Sequence, residues 1–155
     1  MRTALWFALI STLLGSLPLM AQREQLSWDD RMVVEKSWPN AIKSSTGLRY
    51  IILKAGTGEE HPGAGDTVSV LYQGRLLNGA VFGECNDRAK PFRVRIGRDN
   101  LIPAWEECLK QMTVGEKRLI IVPYELGYGT RGDPPRIPRL STLVFEIELL
   151  EITRT

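Results

Sequence analysis

One histidine, His61, and two cysteines, Cys85 and Cys108, are all that 155 residues provide of the side chains most used for metal binding and nucleophilic catalysis. That scarcity excludes a metal cluster and a hydrolytic triad. His61 lies in Glu59-Glu60-His61-Pro62-Gly63, a polar turn, and reads as an exposed loop residue rather than a ligand or base. No metal and no cofactor is expected. An excess of one charge is lacking as well: the formal net charge is +2, and Lys and Arg alternate with Asp and Glu without a basic stripe, which argues against nucleic acid as a partner. Internal repeats and low-complexity tracts are missing. The pattern G-x-G-x-x-G does occur, at Gly127-Tyr128-Gly129-Thr130-Arg131-Gly132, but Asp133-Pro134-Pro135-Arg136-Ile137-Pro138 follows it. No helix can open there to receive a pyrophosphate, so nucleotide binding is excluded too. A content of 43% hydrophobic and 25% charged residues is ordinary for one globular domain.

Acidic residues are absent before Glu24. Arg2 is followed by the apolar run Ala4 to Ile10 and by Leu13-Leu14, and Leu17-Pro18-Leu19-Met20-Ala21 supplies a helix break and a small residue. Residues 1–21 therefore read as a secretory signal peptide cleaved after Ala21, although Leu19 makes the site imperfect. An uncleaved anchor is the other reading, for which the run is barely long enough. No cysteine stands near the cleavage point to carry a lipid. Export to the periplasm or an equivalent compartment follows, with no stable membrane anchor after cleavage. Residues 22–45 form an N-terminal extension with a possible short helix ended by Pro39, in which Trp28 and Trp38 are expected to pack onto the domain.

From Leu48 the pattern is that of strands. Leu48–Lys54 and Thr67–Leu76 are β-prone, with a hairpin signal at Asn78-Gly79. Phe92, Val94 and Ile96 alternate with Arg93 and Arg95, Lys117–Val122 is another strand, and Leu143, Phe145, Ile147 and Leu149 alternate with charged residues in a long last one. One helix stands out, opened by Pro103 and carrying Trp105, Leu109 and Met112 as its apolar stripe. One helix and several antiparallel strands, each with one apolar face, predict an α+β domain in which a curled sheet wraps around a short helix.

The blocks Val70-Leu71-Tyr72-Gln73-Gly74, Phe82, Arg88-Ala89-Lys90-Pro91-Phe92, Leu101-Ile102-Pro103-Ala104-Trp105, Met112-Thr113-Val114-Gly115-Glu116, Tyr128-Gly129 and Thr142-Leu143-Val144-Phe145-Glu146 carry further information in their order and spacing. Together they resemble the FKBP-type peptidyl-prolyl isomerases over roughly residues 46 to 153, which makes 46–155 the isomerase domain. The resemblance implies strand order, proline-containing polypeptides as clients, and a pocket that works without a nucleophile. Rotation about an X-Pro bond is opposed by about 18 to 20 kcal/mol of amide resonance. Because the twisted amide has less charge separation than the planar one, a dry apolar pocket favours the transition state over the ground state.

Carried over residue by residue, the resemblance puts Trp105 at the pocket floor under the proline ring. Tyr72, Phe82, Phe92 and Phe145 become the walls. Leu101 and Ile102 become the edge where a backbone N–H meets a substrate carbonyl, and Tyr128 the residue whose hydroxyl donates to the carbonyl of the twisting bond. For Phe92 and Phe145 core filling is the competing role. The chain also departs from the family. Gly83 stands where an aspartate usually follows the wall phenylalanine, so Arg88, its usual partner, needs another, with Glu84 the nearest candidate. Arg136 and Arg139 replace residues more often apolar or proline, giving a more basic rim that favours acidic or unfolded clients and weakens binding of macrolide immunosuppressants. Cys85 and Cys108 allow either a disulfide pinning wall to floor or two separate thiols.

The resulting expectation is an exported peptidyl-prolyl cis-trans isomerase assisting protein folding. A binding or chaperone module with weak or no isomerase activity is the alternative, and a structural accessory domain dimerised by its extension a third. Clients and oligomeric state are not legible.

Overall fold

The computed structural model describes residues 24–154; residues 1–21, expected to be a signal peptide, lie outside them. Helix α1 spans Trp28–Ser37 and is followed by strands β1 (Ile42–Lys43), β2 (Arg49–Lys54), β3 (Thr67–Leu76), β4 (Val81–Cys85) and β5 (Phe92–Arg95). Helix α2 (Pro103–Gln111), β6 (Lys117–Val122), a 3-10 turn at Tyr124–Leu126 and β7 (Leu143–Thr153) complete the order. The strands form one antiparallel seven-stranded sheet in the order β1-β2-β6-β7-β3-β4, with β5 paired to the first half of β3. The fold is the α+β arrangement expected: the sheet curls and α2 packs in its concave face.

Helix α2 needs no side-chain cap because Pro103 occupies its first turn, where a missing N–H costs nothing. Its buried face is Ala104, Trp105, Cys108 and Leu109, which meet Val68, Val70, Ile120, Val122, Leu143, Phe145, Ile147 and Leu149 from the sheet in one cluster. Burying a side chain of this size contributes on the order of 1.5 to 3 kcal/mol. Arg118 fastens the far end of the helix. Its guanidinium pairs with Glu116, donates to the Gln111 carbonyl at 3.1 Å and lies over the Tyr50 ring, 4.9 Å from the centroid.

The extension contributes a second helix, and with it a second layer. Ser27 caps α1 by accepting from the Asp30 N–H at 3.1 Å. Val34 of α1 and Leu26 bury against Leu119, Ile121 and Val144, which point away from α2 on the opposite face of the sheet. The central strand β6 is thus covered on both sides, which is why Leu119-Ile120-Ile121-Val122 is an unbroken apolar run instead of an alternating one. Thr142 donates to Asp30 at 2.7 Å and ties the helix to the start of β7. Trp38 packs beside this layer, but Trp28 does not, and is 71% exposed. Six residues separate it from Val34, which puts it roughly 120° round the helix from the buried face.

Candidate active site

Trp105 lies at the centre of the site. It enters the concave side from the first turn of α2 and is only 4% exposed. Three rings stand upright around the indole: Tyr72 from β3 at 5.1 Å and 81°, Phe92 from β5 at 6.0 Å and 85°, and Phe145 from β7 at 5.6 Å and 82°. Phe82 from β4 adds a fourth, edge-on to Phe145 at 5.4 Å and 83°. Edge-to-face contact suits the quadrupoles of all these rings, and here it makes a box with a flat base. The cavity it encloses is about 470 Å³ and is lined by all eight residues expected at the site, Tyr72, Phe82, Phe92, Leu101, Ile102, Trp105, Tyr128 and Phe145.

The polar groups at this cavity are mostly donors. The Ile102 N–H, just ahead of α2, has no backbone acceptor among the described residues. The Trp105 Nε1–H is sealed beneath the floor rather than open to the cavity, and has no partner among the described residues. Tyr128 is held at the mouth by the loop after β6, where Gly129 donates to the Tyr124 carbonyl at 2.8 Å and Gly132 to that of Tyr128 at 3.1 Å. Burial raises the Tyr128 pKa above the ordinary tyrosine value, the charge of Asp133 and then Tyr72 add to this, and Arg136 works against it. Tyr72 is raised too, first by burial and then by Cys85, again against Arg136. Both hydroxyls therefore stay protonated at neutral pH and can donate.

Residues 58–150 match the family model for FKBP-type peptidyl-prolyl cis-trans isomerase. The chain belongs to this family. The chain is 45% identical to FK506-binding protein 1A of Aspergillus fumigatus over 106 residues, which are 68% of this chain and 95% of that protein. It is also 45% identical to the FKBP-type peptidyl-prolyl cis-trans isomerase FkpA of Escherichia coli over 109 residues, 70% of this chain and 39% of that one. The crystal structure of a peptidyl-prolyl cis-trans isomerase from Pseudomonas syringae superposes with a TM-score of 0.70 at 30% identity, covering 81% of this chain and 92% of that one. The chain is thus an FKBP-type isomerase in sequence and in fold.

Of the residues in or behind this isomerase's pocket that the sequence reading did not assign to the site, two shape it. Ile137 lines the cavity at 2% exposure, turned inward by a short bridge in which Asp133 and Ile137 exchange hydrogen bonds at 2.9 and 3.0 Å. Gly132, at φ +69°, lets the chain enter this bridge, and a Cβ there would lie 2.4 Å from the Ile137 carbonyl oxygen. The last glycine of the false nucleotide motif thus serves this turn. Gly74 is the other: it shapes the wall by leaving room for two rings, and only the strand pairing could reveal that.

Two expectations are corrected, and one question left open is settled. Arg88 pairs with Glu148 at 2.6 Å, while Glu84 accepts from Gln73 and Asn86 instead. Arg88 lies in the turn after β4, not on a strand, and its side chain reaches past β3 to Glu148 on β7. Cys85 and Cys108 are separate thiols. Cys108 is sealed under α2, where burial pushes its pKa up to about 12, and Cys85 on the edge strand points to the Lys90 carbonyl at 3.4 Å. Of the two rim arginines, Arg136 lines the cavity and Arg139 does not.

Proposed function

We propose that the chain is an exported isomerase that assists folding by seating proline on the Trp105 indole and twisting the preceding amide in the dry ring box. The observation that carries the mechanism is the near-perpendicular set of rings around a buried indole. The compact, puckered proline ring can pack one face on such a base, and the walls keep water from the amide nitrogen while its resonance is lost. The Ile102 N–H and the Tyr128 hydroxyl are the donors that would steady the two carbonyls flanking the bond. No proton is transferred and no covalent bond is made, so the rate gain comes from binding the twisted amide better than the planar one. Residues 1–21, with Arg2 ahead of an apolar run and Ala21 behind it, support export as a signal peptide; fusion of this segment to a reporter active only outside the cytoplasm tests that part.

A protease-coupled assay on a proline tetrapeptide, run on residues 22–155 in the presence of a chelator, tests the chemistry. Exchange well above the uncatalysed rate is expected. A rate equal to background across several residues preceding proline would leave the binding or chaperone reading in its place.

A further inference from the structure

The wall beside Tyr72 has a gap. Gly83, in β4, carries no side chain, and apart from its chain neighbours Phe82 and Glu84 the only described atoms within 4 Å of where its Cβ would stand are Tyr72 Oη at 3.7 Å and Tyr72 Cε2 at 3.9 Å. Gly83 has an ordinary strand backbone, so the space is left by the missing side chain and not by a turn. Arg136 borders the same place. Its Nη1 donates to the carbonyl of Phe82, the residue before Gly83, at 3.5 Å, and its Nη2 to Asp133 at 3.3 Å. A guanidinium has five N–H donors, so most of its capacity is free, and its charge is felt at both Tyr72 and Tyr128. The one carboxylate on the cavity lining, Asp133, is already engaged with it. Donors thus outnumber acceptors around an empty niche.

We propose that this niche is a subsite for an acidic side chain on the residue preceding the proline, with its carboxylate held between the Tyr72 hydroxyl and the Arg136 guanidinium. The assignment rests on the isomerase reading of the pocket. In that reading the residue before proline owns the carbonyl that Tyr128 receives, so its side chain leaves the pocket at the mouth bordered by Gly83 and Arg136. A carboxylate takes up the spare donors there, whereas an amide of the same shape brings donors of its own and no charge. Asp133 opposes a second anion, and the gain is therefore that of one half-exposed charge contact rather than of a buried pair.

The test compares kcat/KM for two peptides that differ only in Glu or Gln before proline. At low ionic strength the Glu peptide should be turned over about 2- to 5-fold faster, the range of an exposed ion pair, and added salt should erode the difference. Arg136→Gln should bring the Glu-to-Gln ratio to about one, and so should Gly83→Asp, which fills the niche with a carboxylate of its own. Arg131→Gln removes the same charge from the same loop outside the cavity lining and should leave the ratio as it was. Equal turnover of the two peptides by the unmodified chain, a ratio that survives Arg136→Gln, or one lost in Arg131→Gln would each overturn the subsite. Failure of both peptides to exceed uncatalysed exchange would instead overturn the isomerase reading beneath it.

Discussion

Phe82 and Phe145 meet edge to face, with centroids 5.4 Å apart, across the backbone of Gly74. The register puts Gly74 opposite Gly83 on one side and Phe145 on the other, so two paired glycines lie beside the rings. A Cβ at Gly74 would lie 2.6 Å from Phe82 and 2.7 Å from Phe145. Gly74→Ala should therefore displace both rings, lowering stability by roughly 1 to 3 kcal/mol as overpacking does and kcat/KM with it. Chemical denaturation and the peptide assay on one preparation check this; an unchanged rate would mean that the Phe82–Phe145 contact does not shape the site.

Trp105→Ala should cost on the order of 3 to 5 kcal/mol, as other buried aromatic truncations do, and should abolish measurable isomerase activity. Trp105→Leu keeps most of the buried volume but not the flat base, so it should retain more stability than activity. Full activity in both variants would remove the indole from the mechanism.

Tyr128→Phe deletes one donor at a half-exposed position and nothing of the box. Loss of a hydrogen bond worth about 0.5 to 1.5 kcal/mol predicts a fall in kcat/KM of roughly 2- to 12-fold with little change in melting temperature. The fall should be independent of pH between about 6 and 8, because the raised pKa keeps the hydroxyl protonated throughout.

Gly83→Asp places a carboxylate beside the Tyr72 hydroxyl. Arg88 is held by Glu148, so the new group would meet Tyr72 and Arg136 rather than Arg88. The backbone at Gly83 has no positive φ and the added Cβ finds ordinary contact distances. Melting temperature should stay the same, and because the new ion pair is present in ground and transition states alike, the rate on an apolar residue preceding proline should stay within a factor of about 1.5 to 5 of the unmodified chain, the scale of an exposed ion pair. A slower, less stable variant would show that the strand needs glycine for its backbone.

Glu24 fastens the N-terminal extension to the sheet through Arg49 at 2.8 Å and Lys43 at 3.2 Å. Burial by itself raises the Glu24 pKa, but the Arg49 hydrogen bond, the Leu26 N–H and Lys43 outweigh it and hold the carboxyl at about 2, against 4.5 for a free glutamate. Because the folded value is the lower one, its contribution is complete above about pH 4.5 and is lost as pH falls towards 2. Glu24→Gln should lower the melting temperature at pH 7 and show a shallower loss between pH 5 and 2 than the unmodified chain. Parallel acid curves for the two would remove Glu24 from the acid response.

Periodicity determined much of this protein. Alternation at Phe92 to Ile96 and Leu143 to Leu149 and the four-and-three spacing of Trp105, Leu109 and Met112 fix which side of each element is apolar, and apolar faces leave a sheet and a helix one economical way to pack. The eight expected site residues could be picked out because each stands inside a block whose spacing the family shares. What the sequence left open is what depends on residues far apart in the chain. The partner of Arg88, the clearance over Gly74 and the inward turn of Ile137 are set by strand register and by a bridge within a loop, and a shift of one position would change all three. Only the folded sheet brings Gly83, Tyr72 and Arg136 together, because they lie on three segments whose distances in space no local pattern encodes.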